Sequence, residues 1–508
     1  MFASKNRHIV LLGVVLMLEL TIPTVVAGAA VEVNPKPITV PEISHWEGGV
    51  GVFNVSSAKQ YFSCDYLGGF CESFEQLTGR DIRLTKGRAE ISFNLDDKKK
   101  DRLGEEGYAI KITPRRVMAV AATRTGMFYA SRTLLQLLKQ NPKEIPCGRI
   151  LDVPKYRVRG MVFDVGRLPV PIEFLRQVVD IMSDYKMNDL QLHLNDNYIW
   201  HEDYVKEGKD PFKESYAAFR LESKVAGLTA KDVFYTKKDF AKLVSYAQDR
   251  GVRIVPEIDS PGHALALTRV RPDLIYQGPM RHHVERRCEM IDAANPKALE
   301  FVCSIFDEFL EPLSQLEKGP FANCPVLHIG SDEFFGGNED YRKFLDGLLG
   351  HIQSRGRTPR AWCSLKAKPG STPIRAKGVQ MNIWSRDWGL AQASIDAGYD
   401  IINTFDKDLY FVPTAGYYRM DRNLKHLWEN WVPNKIGADT IDPKNSHLLG
   451  ASWAVWNDMI GPRSNGYTYK DLEEPIRAVS GILAEKMWGT VTPPRSYDEQ
   501  VKLLKTLR

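Results

Sequence analysis

The residues best suited to chemistry stand together in His328-Ile329-Gly330-Ser331-Asp332-Glu333. An apolar, strand-length run ends in two small residues that leave room for a ligand, and two adjacent carboxylates follow. Neighbouring carboxylates repel, so the one in the more apolar surroundings keeps its proton to higher pH. Such a pair supplies one acid to protonate a leaving group and one anion to stabilise developing positive charge. Asp-Glu pairs are common on protein surfaces; the position of this one after an apolar strand sets it apart.

Two further constellations end strand-like runs in the same way. In Val255-Pro256-Glu257-Ile258-Asp259-Ser260-Pro261-Gly262-His263 the strand enters a Pro-Gly turn that fixes the backbone and presents His263. His193-Leu194-Asn195-Asp196 closes a third run. A metal site built from these His and Asp residues lacks a His-x-His pair or a His-Glu-x-x-His helix, so no metal and no cofactor are expected. His328, alternating with apolar neighbours, reads as a hydrogen-bonded core histidine. Eight of the ten tryptophans lie beyond residue 360, and Trp362, Trp384 and Trp456 fall at strand ends. Indoles stack on the apolar C–H faces of sugar rings, so these three favour a lined pocket, whereas Trp453 and Trp488 read as core.

The elements that must position these residues follow a (β/α)8 pattern. Strand candidates recur at Met161–Val165, Leu190–Leu194, Arg253–Asp259, Val326–Gly330, Ala361–Ser364, Val379–Trp384, Asp400–Thr404 and Leu448–Trp456. Helix-like stretches such as Glu173–Tyr185, Lys238–Arg250 and Pro296–Leu316 lie between them. Eight strands with helical crossovers define an α/β, TIM-type barrel, whose strand C-termini converge on one cavity. The gap from Ser364 to Val379 is short for a helix, so that crossover is expected to be degenerate. Before the barrel, strands at Ala89–Leu95, Tyr108–Thr113 and Val117–Ala122 and an amphipathic helix at Thr125–Lys139 form a small α+β domain. The expected organisation is therefore a signal peptide over 1–29, an α+β domain over 30–153 and a barrel over 154–508.

The signal-peptide reading rests on Lys5, Arg7 and His8 ahead of the apolar run Ile9–Leu18, with Ala27-Gly28-Ala29 as small-residue cleavage site. That run is too short to span a bilayer, and Glu19 interrupts it. The implied destination is periplasmic, extracellular or lysosome-like. The chain has 508 residues, 43% hydrophobic and 26% charged, which excludes a disordered or collagen-like protein. A net charge of +5 over this length suggests neither nucleic acid nor an anionic membrane as partner. The basic clusters Lys98–Lys100 and Arg281–Arg287 are expected to be solvated faces or loop edges. Of seven cysteines, only Cys64 and Cys71 are close enough in sequence to suggest a pair, and no Cys-x-x-Cys occurs.

On these residues the sequence resembles glycoside hydrolase family 20, the β-N-acetylhexosaminidases. The matching stretches are Arg159–Arg167, Lys186–Asn188 with His193–Asp196, Val255–His263 and His328–Glu333, with weaker matches at Ile383-Trp384 and Ala454–Asp458. The resemblance implies an exo-acting retaining enzyme in which the substrate's own 2-acetamido oxygen is the nucleophile, a recognised exception to the two-carboxylate scheme. It implies that Glu333 is the general acid and base, that Asp332 orients the acetamido nitrogen, and that His263 and Asp196 form a relay to Glu333. Arg167 would grip the terminal sugar, Trp362, Trp384 and Trp456 would wall the pocket, and Tyr410 would bond the acetamido oxygen.

Two departures bear on sugar preference. The family's Trp-x-Glu is here Trp456-Asn457-Asp458, making Asp458 a shorter substrate-binding carboxylate. Its Tyr-x-Asp is here Tyr410-Phe411-Val412. The expected partner is a glycan with a terminal β-linked GlcNAc or GalNAc. Release of a disaccharide such as lacto-N-biose, or of a sulfated GlcNAc, is the alternative within the same chemistry. A non-catalytic glycan-binding module is the alternative outside it. The oligomeric state stays open.

Overall fold

The structure, a computed structural model, describes residues 32–507 apart from 64–66, 68, 86, 281 and 316. The proposed signal segment and Cys64 therefore lie outside the described residues. The thiols of Cys71, Cys147, Cys288, Cys303, Cys324 and Cys363 are free. Among the described residues no helix is long and apolar enough to cross a membrane.

The N-terminal part is a seven-stranded mixed sheet in the order 45–54, 144–152, 108–113, 116–121, 91–95, 60–63, 83–84. The first three pairings are antiparallel and the others parallel. Helix Arg124–Gln140 starts where Thr123 accepts a hydrogen bond from the Gly126 N–H at 3.2 Å. The helix was expected to be amphipathic, yet every residue from Gly126 to Leu138 is buried. It is sandwiched: Leu134 and Leu138 face the sheet's core, while Gln136 bonds Asp184 of the barrel at 3.0 Å and Tyr129 bonds Gly251 at 3.0 Å.

The C-terminal part is a closed barrel of eight parallel strands: β1 (Val158–Asp164), β2 (Asp189–His193), β3 (Arg253–Ser260), β4 (Val326–Gly330), β5 (Thr358–Trp362), β6 (Gln380–Ile383), β7 (Asp400–Asn403) and β8 (Leu448–Val455). Pairing of β8 with both β7 and β1 closes it. Helices on the outside and side chains within cover both strand faces, which is why these strands read as nearly continuous apolar runs. Crossover helices follow β1 (Ile172–Asp184), β2 (Lys237–Gln248), β3 (Pro296–Leu310) and β4 (Asn338–Ser354). No helix follows β5 before β6, as expected from the short gap. The third crossover stops at Leu310, six residues before its expected end. Glu311 precedes Pro312, and the residue before a proline is forced out of the helical region; its ψ is 141°.

Parallel register sets Asp164 beside His193, His193 beside Glu257 and Glu257 beside His328. The register thus carries polar residues of neighbouring strands to one level at one end of the barrel. The long β7–β8 connection adds a two-residue strand, Tyr410–Phe411, alongside Ala454-Val455 of β8, and this places Tyr410 over the same end.

Candidate active site

One cavity at the C-terminal ends of the strands is lined by Arg167, His193, Asp196, Asp259, His263, Asp332, Glu333, Trp384, Tyr410, Val412, Tyr418, Trp456 and Asp458, with Ile199. The structure thus brings nine of the ten expected site residues around one cavity. Trp362 is the exception and corrects the expectation for it. Only 1% exposed, it stands behind the pocket, its ring against His328 and Trp456 and its indole N–H donated to Glu257 Oε1 at 2.6 Å. Trp456 forms the floor instead, with His193, Tyr410 and Trp362 rings 5.1, 5.7 and 5.6 Å away. Trp453 and Trp488 are core, and His328 is wholly buried beneath the site, its Nδ1 accepting from the Gly330 N–H at 3.0 Å.

The backbone carrying the chemistry is strained. Ser331 (φ 84°), Glu333 (φ 43°) and His263 (φ 53°) lie in the left-handed region, at a cost of about 1–3 kcal/mol each. Gly330 (φ 69°) makes the turn possible. A Cβ there would stand 1.7 Å from Asp259 Oδ1, which instead accepts the Ser331 N–H at 3.0 Å. Gly262 seats the His263 turn under the carboxylate loop: a Cβ there would meet the Asp332 carbonyl at 2.7 Å.

Two charged chains converge on this loop. In the first, His263 Nδ1 lies 3.0 Å from Asp196 Oδ1, and its Nε2 lies 3.4 Å from Glu333 Oε2 and 4.0 Å from Asp332 Oδ2. Burial disfavours charge on His263, but Asp196 and Glu333 outweigh it and raise its pKa well above the usual value. Asp196 is held well below the carboxylate range: burial opposes its charge, and Arg167 and His263 overcome that. His193 braces the same carboxylate, with Nε2 2.6 Å from Asp196 Oδ2 and Nδ1 3.1 Å from Glu257 Oε2. Arg167, 4% exposed, pairs with Asp196 at 2.7 Å and Asp164 at 3.0 Å, and reaches Asp458 at 3.6 Å. Tyr417 donates its hydroxyl to the far oxygen of Asp458 at 3.0 Å.

The second chain was missed. Arg286 donates Nη1–H to Glu333 Oε2 at 2.8 Å and Nε–H to Glu289 Oε1 at 2.5 Å. It belongs to the Arg281–Arg287 cluster expected to be a solvated loop edge, yet it is only 7% exposed. A run of basic residues carries no signal that one member turns inward to an acid 47 positions away. Lys98–Lys100 is exposed, as expected.

Electrostatics divides the carboxylate pair. Burial disfavours ionisation of both. At Glu333 the cations Arg286 and His263 prevail and pull its pKa far down. At Asp332 burial and the neighbouring Glu333 raise it. Asp259, whose carboxylate lies within 4.8 Å of those of Asp332 and the His263 ring, is raised further by burial and by Asp332. The two cations thus favour the charged form of Glu333, while burial and mutual repulsion favour the neutral forms of Asp259 and Asp332. Asp332 Oδ1 and Trp384 Nε1 are buried without a hydrogen-bond partner among the described residues.

A closed barrel bearing a carboxylate pair, a histidine relay and an aromatic floor at its strand ends has the framework of a glycosyl hydrolase. The chain belongs to glycosyl hydrolase family 20: residues 156–340 match the family's catalytic domain and residues 36–153 its domain 2. It is 24% identical over 497 residues to the lacto-N-biosidase of Bifidobacterium bifidum, covering 91% of this chain and 41% of that protein. It is 26% identical over 407 residues to the β-N-acetylhexosaminidase of Cellulomonas fimi, covering 76% of each. The chain spans less than half the length of several curated relatives it matches. The same fold is seen in a Streptomyces plicatus β-hexosaminidase variant solved with product GlcNAc, with a TM-score of 0.71 at 19% identity, over 94% of this chain and 95% of that one.

Proposed function

We propose that the chain is an exo-acting, retaining β-N-acetylhexosaminidase that releases terminal β-linked GlcNAc or GalNAc from glycans by substrate-assisted catalysis. The observation that carries this reading is the Asp332-Glu333 pair at one cavity with the Asp196–His263 chain on one side and Tyr410, Trp384 and Trp456 on the other. A 2-acetamido pyranose seated on Trp456 brings its acetamide toward Asp332 and Tyr410. The unpartnered Asp332 Oδ1 then accepts the acetamide N–H, and the Tyr410 hydroxyl donates to the acetamide oxygen.

In the first step Glu333, protonated through His263, gives its proton to the glycosidic oxygen. The bond from C1 to that oxygen breaks as the acetamide oxygen bonds to C1, forming a bicyclic oxazolinium ion. Asp332 stabilises its positive charge. In the second step the Glu333 carboxylate takes a proton from water, whose oxygen bonds to C1 while the C1–acetamide oxygen bond breaks. Attack from the substrate's own acetamide is intramolecular, so a well-oriented pocket makes a protein nucleophile unnecessary. Arg167 and Asp458 face the sugar hydroxyls. Val412 gives the pocket an apolar surface where the family's pattern has an aspartate.

A second reading, release of a disaccharide, draws support from similarity along 91% of the chain to a protein named lacto-N-biosidase. The basic, apolar and small-residue pattern of Lys5–Ala29 supports export.

The experiment follows chromophore release from aryl β-GlcNAc, aryl β-GalNAc and an aryl disaccharide, wild type beside Glu333→Gln. Hydrolysis of the monosaccharides, reduced on the order of 10²–10⁴-fold by the substitution, is the expected result. Turnover of the disaccharide alone replaces the exo-monosaccharide reading with the second one. Full activity in Glu333→Gln overturns both.

A further inference from the structure

Two cations flank Glu333, Arg286 at 2.8 Å and His263 at 3.4 Å, and they favour its charged form, the reverse of what the first step needs. Glu333 must arrive protonated, yet its nearest partner is the Arg286 guanidinium, which favours the carboxylate. That guanidinium has three faces. Nη1 is on Glu333, Nε is on Glu289, and Nη2 is buried with no hydrogen-bond partner among the described residues. A buried, unpaired guanidinium N–H is costly and awaits an acceptor. Glu289 already accepts from Arg286 Nε and from the side chain of Asn197.

Arg286 also lies on a defined side of Glu333. Its guanidinium sits 5.3 Å over the ring of Phe335, which is edge-on to Trp388 at 6.4 Å, and Trp388 stacks on Trp384 at 5.5 Å. Arg167, Asp458 and Tyr417 stand at the other part of the pocket, around the hydroxyls of the terminal sugar. The Phe335–Trp388 wall with Arg286 therefore borders the leaving group. The leaving group that the proposed reaction expels is an alcohol, most often a sugar, rich in neutral hydroxyl acceptors. With Glu289 and Glu333 already flanking Arg286, a neutral acceptor suits the site better than an anion.

We propose that Arg286 is a positioning residue for the proton donor: it clamps Glu333 in the resting enzyme and turns its free Nη2 to a hydroxyl of the leaving-group sugar, whose arrival loosens the clamp. The proposal rests on the hexosaminidase reading for the identity of the leaving group, but the clamp itself does not. Once the guanidinium gives up its hold, Glu333 accepts the proton that His263 carries 3.4 Å away. Substrate binding and arming of the acid are thereby coupled. The groups facing Glu333 are Arg286 and Glu289 from the β3–β4 connection, His263 and Asp259 from the end of β3, neighbouring Asp332, and Tyr418 from the β7–β8 connection. Of these, Arg286 and His263 are the cations, and only Arg286 lies outside the Asp196 relay.

The test begins with the carboxyl itself. In protein carrying 13C at glutamate side-chain carboxyls, the Glu333 signal is assigned by its loss in Glu333→Gln and titrated in wild type, Arg286→Gln and Arg286→Lys. Removing a cation at this distance should raise the Glu333 midpoint by about one to three pH units, and the lysine variant should restore most of the shift. An unchanged midpoint in Arg286→Gln overturns the clamp. The second readout is kinetic. The alkaline limb of kcat/KM moves up in Arg286→Gln, because without that cation the His263–Glu333 pair keeps its proton to higher pH. A uniform loss at every pH, with no shift, marks a merely structural arginine and also overturns the proposal. The KM for a β-linked N-acetylglucosamine disaccharide should rise about tenfold in Arg286→Gln, the worth of one good hydrogen bond, while that for the aryl glycoside changes little. Equal KM changes for both remove the leaving-group role. A moved midpoint in a protein that cleaves no N-acetylhexosaminide instead leaves the clamp standing and rejects the hexosaminidase reading.

Discussion

The two ends of the barrel both bury charge, but they finish it differently. At the end that meets the small domain, Lys186 Nζ donates to Asp152 Oδ2 at 2.9 Å and to the Tyr108 hydroxyl at 2.6 Å, while Tyr108, Ser44 and the Trp488 indole also donate to Asp152. Arg159 makes a bidentate pair with Glu106 at 2.8 and 3.0 Å, and Asn188 caps the same carboxylate at 2.8 Å. None of these side chains leaves a buried polar atom without a partner. At the pocket end Asp332 Oδ1, Trp384 Nε1 and Arg286 Nη2 have none among the described residues. Leaving a buried donor or acceptor unpaired costs about 1–3 kcal/mol, so the saturated network contributes to stability, while on the proposed reading a bound sugar completes the pocket's.

That contrast breaks if substitutions at the two ends have the same signature. The largest effect is expected for Lys186→Met, which strands the Asp152 carboxylate at the domain junction. Removing one partner of a buried ion pair costs about 3–5 kcal/mol, read as a lower urea midpoint, while kcat per folded molecule stays near wild type. Asp332→Asn should do the reverse. Loss of one preorganised group at the developing charge lowers kcat about 10²–10³-fold. Because burial and Glu333 raise the pKa of Asp332, its ionised form works against folding, and the asparagine variant should unfold at the same or a higher urea concentration. A destabilised Asp332→Asn, or an inactive but stable Lys186→Met, would erase the distinction.

The same division governs what could be read from the sequence. All eight barrel strands were legible because burial on both faces leaves long apolar runs, and Val326–Gly330 agrees to the residue. The fifth was placed late, at Ala361–Ser364 instead of Thr358–Trp362, because its first residues are Thr358, Pro359 and Arg360. Arg360 is fully buried against Asp189, 171 positions earlier, and hydropathy is blind to such a partner. Arg286 was hidden for the same reason. The motif stretches were informative but mixed: Arg159 to Arg167 runs the length of β1, from the Glu106 pair at one end to the pocket at the other. Spacing identified these segments, and only the fold separates Lys186 and Asn188, which tie the domains together, from Asp196, which faces the cavity. Trp362 was assigned to the pocket because it ends a strand, although the Glu257 acceptor draws its indole inward.

Acid sharpens the comparison with a smaller effect. Asp189, at the start of β2, is fully buried and accepts from Arg360 at 2.7 and 3.0 Å and from Arg253 at 2.7 Å. Burial opposes its charge, but the two arginines pull its pKa down to about 2. A depressed carboxylate stabilises the fold above its unfolded value of about 3.9 and loses that contribution as pH falls through about 2. The contribution is about 2 kcal/mol. In the pocket Asp259 and Asp332 have the opposite sign: their raised values impose a penalty at high pH that protonation relieves as the pH falls through them. Wild-type stability should therefore rise on mild acidification and collapse only in strong acid. In Asp332→Asn the mild-acid rise is flattened, because one of the two penalties is already gone. In Asp189→Asn the urea midpoint is lower at pH 7 and converges on wild type as the pH falls through about 2, where Asp189 becomes neutral like the asparagine. Parallel pH profiles for wild type and Asp189→Asn across that window would show that the ion triad at the foot of the barrel contributes no acid-labile stability.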